Sequence, residues 1–239
     1  MQGERSGIHS LRFALQWLKQ ALFFVLTPYT FTHEGSIEMD FAKLIERAKG
    51  IILSPKTEWE KIAAEPADVM SLFTGYAMIL AIIPAVCGLL GSTLIGVSLP
   101  IVGTIRTPIG SALAHMVLGY VFGLAVIYAV SLIINALAPT FGGQKDPIAA
   151  LKLIVYASTP VWLAGVFALV PLLGVLAIIA GLYGLYLLYL GLSPLMKNPQ
   201  DKSIGYTALI VVCYIVLAMI VGVLLGAVAG TGAMMRGRF

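Results

Sequence analysis

The chain has 239 residues, 59% of them hydrophobic and 11% charged, with a mean hydropathy of +0.97. A soluble domain carries about 25% charged residues, so this chain has too little polar surface to cover a water-exposed fold, and lipid is its natural solvent. The net charge of +4 and pI near 9.1 come from basic residues scattered at span boundaries, with no dense patch interleaved with aromatics, which excludes a nucleic-acid-binding class.

Residues 1–38 read as an N-terminal extension. Leu11 to Phe31 is apolar but interrupted by Arg12 and Lys19, and the uninterrupted part, Gln20 to Phe31, is too short to span a bilayer. It is an interfacial helix or a signal-like segment without a small-residue cleavage site. A third reading places it upstream of a natural start at Met39.

Residues 39–69 form a charged head. Between Met39 and Asp68 stand five Lys/Arg and six acids. Phe41, Leu44, Ile45, Ala48, Ile51 and Ile52 recur at helical spacing on one face, with Lys43, Glu46, Arg47 and Lys49 opposite. Ser54-Pro55 restarts a helix, with Ser54 as N-cap and the proline in the first helical position. This second helix carries Trp59 and Ile62 and ends before Pro66. Two short amphipathic helices ahead of a span are expected to lie along the inner membrane surface, with Trp59 as interfacial anchor. The alternative is a docking surface for a soluble partner.

Five spans follow, in residues 70–232. Each apolar stretch of about 18 residues or more reads as a crossing. They are Leu72 to Leu99, Ile109 to Leu137, two within the charge-free stretch from Leu153 to Met196, and Tyr206 to Ala229. The turn inside the 153–196 stretch falls near Leu169–Gly174, punctuated by Pro171 and Gly174. Pro84 and Pro160 predict kinks rather than breaks. Cys87 and Cys213 fall in opposite halves of their spans and are read as buried, unpaired thiols. In the last span Ala218, Gly222, Gly226 and Gly230 share one face, and Gly119 and Gly123 repeat the spacing in the second. Such faces let a neighbouring backbone approach closely. Packing within the bundle is the expected use, and a homo-oligomer face through Gly222, Gly226 and Gly230 is the alternative.

Lys and Arg concentrate on the side that retains positive charge. An inner N-terminus puts twelve Lys/Arg inside and three (Arg106, Arg236, Arg238) outside. The N-terminus is therefore expected in the cytoplasm and residues 233–239 as a short extracytoplasmic tail.

The stretches LIERAKGIILSPKTEWEKI, FGGQKDPIAALKLIVYASTP and LVPLLG, in this order around five spans, resemble the Yip-domain membrane proteins. The resemblance covers Met39 to Ala229 and is most similar to the bacterial branch, through Pro55–Trp59 and Tyr156–Pro160. It implies five helices, a cytoplasmic N-terminus and a place in the bacterial inner (plasma) membrane. Eukaryotic members act in vesicle transport and associate with small prenylated GTPases. The short head here lacks their long acidic or proline-rich tail, and the bacterial branch implies no established activity.

The chain carries no HExxH, CxxC, phosphate-binding P-loop or paired intramembrane aspartates. Gly142-Gly143 reads as a loop ahead of an Asp146 N-cap, His115 as an interfacial histidine, and Asn135 as a helix-end or interhelical hydrogen-bonding residue. Lys152 sits at a span edge from which it can snorkel. Tyr183, Tyr186 and Tyr189 line one face of the fourth span, for packing or as a lipid or ligand groove. No catalytic, cofactor-binding or metal residue is assigned and no cofactor is implied. The expected fold is all-α, a polytopic bundle of five transmembrane helices behind short amphipathic helices. The expected function is a non-enzymatic membrane organiser or adaptor whose partners are the lipid bilayer, a membrane protein or a second copy. A small-solute or lipid transporter is the runner-up.

Overall fold

The computed structural model describes residues 41–99, 103–170 and 173–236, with side chains outside 97–105, 174 and 227–236. The expectations for residues 1–38, the surroundings of Gly230 and the positions of Pro171 and Arg238 lie outside the described residues. Two head helices come first, α1 (Phe41–Leu53) and α2 (Pro55–Ala64). Five helical stretches long and apolar enough to cross a membrane follow. They are α3 (Val69–Ile95), α4 (Ile109–Leu137), the paired segments α5 (Pro147–Ala157) and α6 (Thr159–Ala164), α7 (Gly174–Met196) and α8 (Ser203–Arg236). The protein is an all-α multi-pass membrane bundle. One addition to the expected fold is an antiparallel ribbon between α3 and α4, β1 (Val97–Leu99) with β2 (Gly103–Ile105), in which Val97 faces Ile105. It pairs backbone groups in the connection.

Local chemistry sets the element ends. Asp68 opens α3 with a capping box, its carboxylate accepting from Ser71 N–H at 2.6 Å while Ser71 Oγ accepts from Asp68 N–H. Asp146 caps α5 as expected, accepting from Ile148 N–H (3.0 Å) and Ala149 N–H (2.9 Å). Ser54 does not act as expected: Pro55 starts α2, but the Ser54 side chain makes no cap hydrogen bond. Pro84 lies within the helical run of α3. Pro160 does more than kink its span. The helix stops at Ala157 and restarts at Thr159 with Pro160 in the new first turn, because proline has no N–H to carry the ladder through. Gly142 takes φ +74, and Gly143 comes so close to Met196 that an added Cβ would sit 2.7 Å from its carbonyl oxygen. This tight crossing joins the loop after α4 to the end of α7, where Gln144 N–H donates to Met196 O (2.8 Å).

The third span is central. From Ala149 to Val155 every residue is buried, and Ala157 with them, as expected for a helix apolar all round. Trp59 of the head is not the interfacial anchor expected. Trp59 is 1% exposed and packs against Gly191 of α7 and Leu153 of α5, where a Cβ on Gly191 would stand 2.6 Å from Leu153 and 2.7 Å from the indole. The glycine makes the slot, and the bundle accepts the indole that composition alone would assign to the interface. Phe41, Ile45 and Leu53 of α1 stay exposed, so part of the α1 apolar face remains outward.

Close helix approach also occurs at other glycines than the spacing suggested. A Cβ on Gly91 would meet Ala168 O at 2.1 Å, and one on Gly165 would meet Pro84 at 2.6 Å, so α3 and the third span touch backbone to backbone. At Gly119, Gly123, Gly222 and Gly226 a Cβ would meet nothing within 4 Å. Packing within the bundle is therefore not what these four residues do. Substituting Gly91→Ala or Gly191→Ala is expected to cost about 1–3 kcal/mol by overpacking, read as a lower melting temperature in detergent, whereas Gly222→Ala and Gly119→Ala leave the melting temperature unchanged.

Candidate functional site

Two features of the bundle could serve a function: a polar junction that fastens the head, and an apolar cavity beyond it. The junction begins with helix ends. The last carbonyls of a helix have no partner inside it. For both head helices, a side chain from a span supplies one. Lys152 of α5 is 6% exposed. Its ammonium donates to Ile62 O at 2.8 Å and to Glu65 O, at the end of α2. Tyr183 of α7 donates its hydroxyl to Ile52 O of α1 at 2.5 Å. Lys152 thus does not snorkel outward but is turned onto the head, where the helix C-terminus favours a cation.

Charge pairs close the junction. Arg47 Nη1 donates to Glu58 Oε1 at 2.6 Å and Nη2 to Glu65, and Lys61 reaches the other Glu58 oxygen at 3.2 Å. Gly50 leaves room for this carboxylate, since a Cβ there would stand 2.6 Å from Glu58 Cδ. Burial works to lower the Arg47 pKa, but the hydrogen bond and charge of Glu65, with Tyr156 and Glu58 behind them, outweigh it and hold the guanidinium above its ordinary value. The guanidinium also lies over the Tyr156 ring, 5.8 Å from its centre. Tyr156 stands edge-on to Trp59 and to Tyr76, and Tyr76 shares a hydrogen bond with Thr159 (2.9 Å). The ionic groups are satisfied by one another, so the cluster reads as a fastening rather than a reactive centre.

The cavity holds about 1280 Å³ and is lined by residues of all five spans. Drug-sized pockets run to about 300–1,000 Å³, so this space suits something larger. It runs from mid-depth toward the end of the bundle opposite the head, between Ala81 and Ser92 of α3 and between Ile210 and Leu225 of α8. The buried core of α8, Tyr206 and Ile210, lies toward the head. The bundle is therefore filled solidly near the head and hollow beyond it. Gly119, Gly123 and Gly222 line the hollow, with Ala218 beside them, which explains why a Cβ on these three glycines would meet nothing.

The other sequence candidates fall as follows. His115 is exposed and lines the cavity, its Nδ1 donating to Ser111 O at 2.9 Å. Asn135 Oδ1 is buried without a hydrogen-bond partner, so the expected bond is not made by that atom. Tyr183 serves the junction and stands 5.8 Å from Tyr186, which remains exposed. Cys87 and Cys213 are free. Among the described residues no group of three or more His, Cys, Asp or Glu could hold a metal ion. The junction was missed from sequence. Lys152 inside an otherwise charge-free helix was its one visible signal, because an ionisable residue at membrane depth calls for a partner.

The family model described as the Yip1 domain matches residues 49–233. No similar protein was found among curated sequences or among solved structures.

Replacing Lys152 with Met removes the donor and leaves two carbonyls at the end of α2 without it, a loss of about 3 kcal/mol. The expected result is faster amide hydrogen exchange across Pro55–Ala64 with the spans unchanged. Unchanged exchange would show that Lys152 does not hold the head.

Proposed function

This chain belongs to the Yip1 domain family, and from that premise we propose that it is a non-enzymatic membrane organiser that works by binding a lipid between its spans. The observation that carries this reading is the cavity of about 1280 Å³, lined by all five spans and by mostly aliphatic side chains. Apolar walls within the hydrocarbon region attract what the bilayer itself supplies, and the volume exceeds that of ordinary small-molecule pockets. The fastened head fits the same reading. With α1 and α2 tied to α5 and α7 by Lys152 and Tyr183, the head end of the bundle is filled, and the space beyond it, with Ile178, Leu182 and Ile215 of its lining exposed, is open to lipid.

We place the protein in the bacterial inner membrane, with the head cytoplasmic and the C-terminus outside, on the excess of Lys and Arg beside the head and on the resemblance of its motifs to the bacterial branch. A membrane protein partner or a second copy at the Gly222 and Gly226 face remains a further use of the same fold. Transport of a lipid or small solute is the second reading. It draws on Pro84 within α3 and on the helix restart at Thr159, since Pro84 and Ser158 both line the cavity and broken helices accompany substrate sites in transporters.

Purification in mild detergent followed by mass spectrometry of co-purified lipid tests the binding reading. Bound lipid is expected in the native protein and is expected to fall severalfold in Gly119→Leu and Gly222→Leu, which fill the cavity without touching the core. Equal lipid in both variants would overturn it. A reporter fused after Phe239 is expected to be active only in its extracytoplasmic form.

A further inference from the structure

We infer that the cavity takes a phospholipid with an anionic headgroup, its chains between the spans and its phosphate at the Arg106 end. The inference rests on the lipid-binding reading above and adds the headgroup class to it. Three observations carry it.

The first is where polarity falls on the cavity wall. Ser92, Thr107 and His115 line it toward the end opposite the head, where Thr107 N–H donates to Ser92 O at 3.0 Å and so ties the end of α3 to the start of α4. Deeper in, the polar side chains are Tyr120, Ser158, Trp162 and Tyr214, none of them charged. Two of their hydroxyls are already engaged with carbonyls, Tyr120 with Met78 O (3.0 Å) and Ser158 with Ile154 O (2.7 Å). At the mouth Ser92 Oγ and His115 Nδ1 are likewise bonded to carbonyls, of Leu89 (3.1 Å) and Ser111 (2.9 Å), so the wall is mostly aliphatic with uncharged polar groups at both depths, and the mouth differs by its imidazole and by the charge beside it.

The second is charge. Arg106 immediately precedes Thr107, is exposed, and is the one ionised residue between Val69 and Gln144. No acid lies in any connection on that side. After Asp68 the acids are Asp146 and Asp201, both in connections at the head end. Arg106 is not itself on the cavity wall but stands one residue from Thr107, which is. A guanidinium can bind a phosphate through two parallel hydrogen bonds, and no acid in that connection competes for it. The head end is the opposite case, where Arg47 is already committed to Glu58 and Glu65.

The third is size. About 1280 Å³ is more than a compact solute needs, and the cavity runs along the spans, the direction in which acyl chains lie. A neutral apolar ligand would fill the body equally well but would have no use for Arg106, and this difference is what the experiment reads.

The full chain is reconstituted in vesicles of equal phosphatidylglycerol and phosphatidylcholine, re-extracted in mild detergent, and its retained lipid quantified. Phosphatidylglycerol is expected to exceed phosphatidylcholine about fivefold, the preference one well-placed cation confers. Arg106→Ala brings the ratio close to one while total retained lipid holds, Arg106→Lys keeps most of the preference, and Lys56→Ala, an exposed head lysine, leaves it intact. Retained lipid with no preference, or a preference that survives Arg106→Ala, overturns the anionic headgroup and leaves the cavity reading standing. No retained lipid, or lipid that Gly119→Leu does not displace, overturns the cavity reading and this inference with it.

Discussion

A lysine ammonium buried at the head end of the central helix constrains the rest of the structure. Lys152 lies in a helix that is otherwise apolar on every side, and an ammonium there is costly unless it is hydrogen-bonded. The partners that satisfy it are the carbonyls of Ile62 and Glu65 at the end of α2. The need is mutual, because those carbonyls have no partner in their own helix. Each group removes the other's desolvation penalty only while α2 sits against α5. The position of the head thus follows from these mutually satisfied groups together with the burial of Ala48, Ile51, Trp59 and Ile62 from its apolar faces.

Once α2 is held there, the remaining contacts at this end fall into place. Trp59 enters the slot beside Gly191, and Arg47 turns toward Glu58 and Glu65 and lies over Tyr156. Tyr183 takes the free carbonyl of α1. This end of the bundle is thereby filled with aromatic and charged side chains that interlock, and loss of one partner exposes the others. Such mutual dependence is what keeps a buried ionic cluster in one arrangement.

Beyond the junction the spans have no comparable cement. Packing between helices in lipid relies on close contact of small residues rather than on expulsion of water. Here such contact is made where Gly91 meets Ala168, Gly165 meets Pro84 and Gly184 meets Ala157. At Gly119, Gly123 and Gly222 the small residues face open space instead, and their small size becomes cavity volume. The same residue type thus serves two ends: where a backbone stands opposite, glycine permits contact, and where none does, it leaves a binding space.

The five spans, their order and the family were legible in the sequence, because a bilayer of fixed thickness demands long uninterrupted apolar helices and leaves composition little freedom. Asp146 as a cap was legible for the same kind of reason: the partners lie two and three residues away. What lay at long range was not. The destination of Trp59, the partners of Lys152 and the empty space beside Gly119 and Gly222 all depend on which surfaces meet. Residues 90 positions apart, as Lys152 and Ile62 are, leave no periodic trace in a chain. By itself the sequence determined that the protein lives in a membrane, how often it crosses and to which family it belongs. Only the tertiary structure decided that the head is fastened to the bundle and that the bundle is hollow beyond it, because a small residue reads the same in sequence whether a backbone or empty space stands opposite.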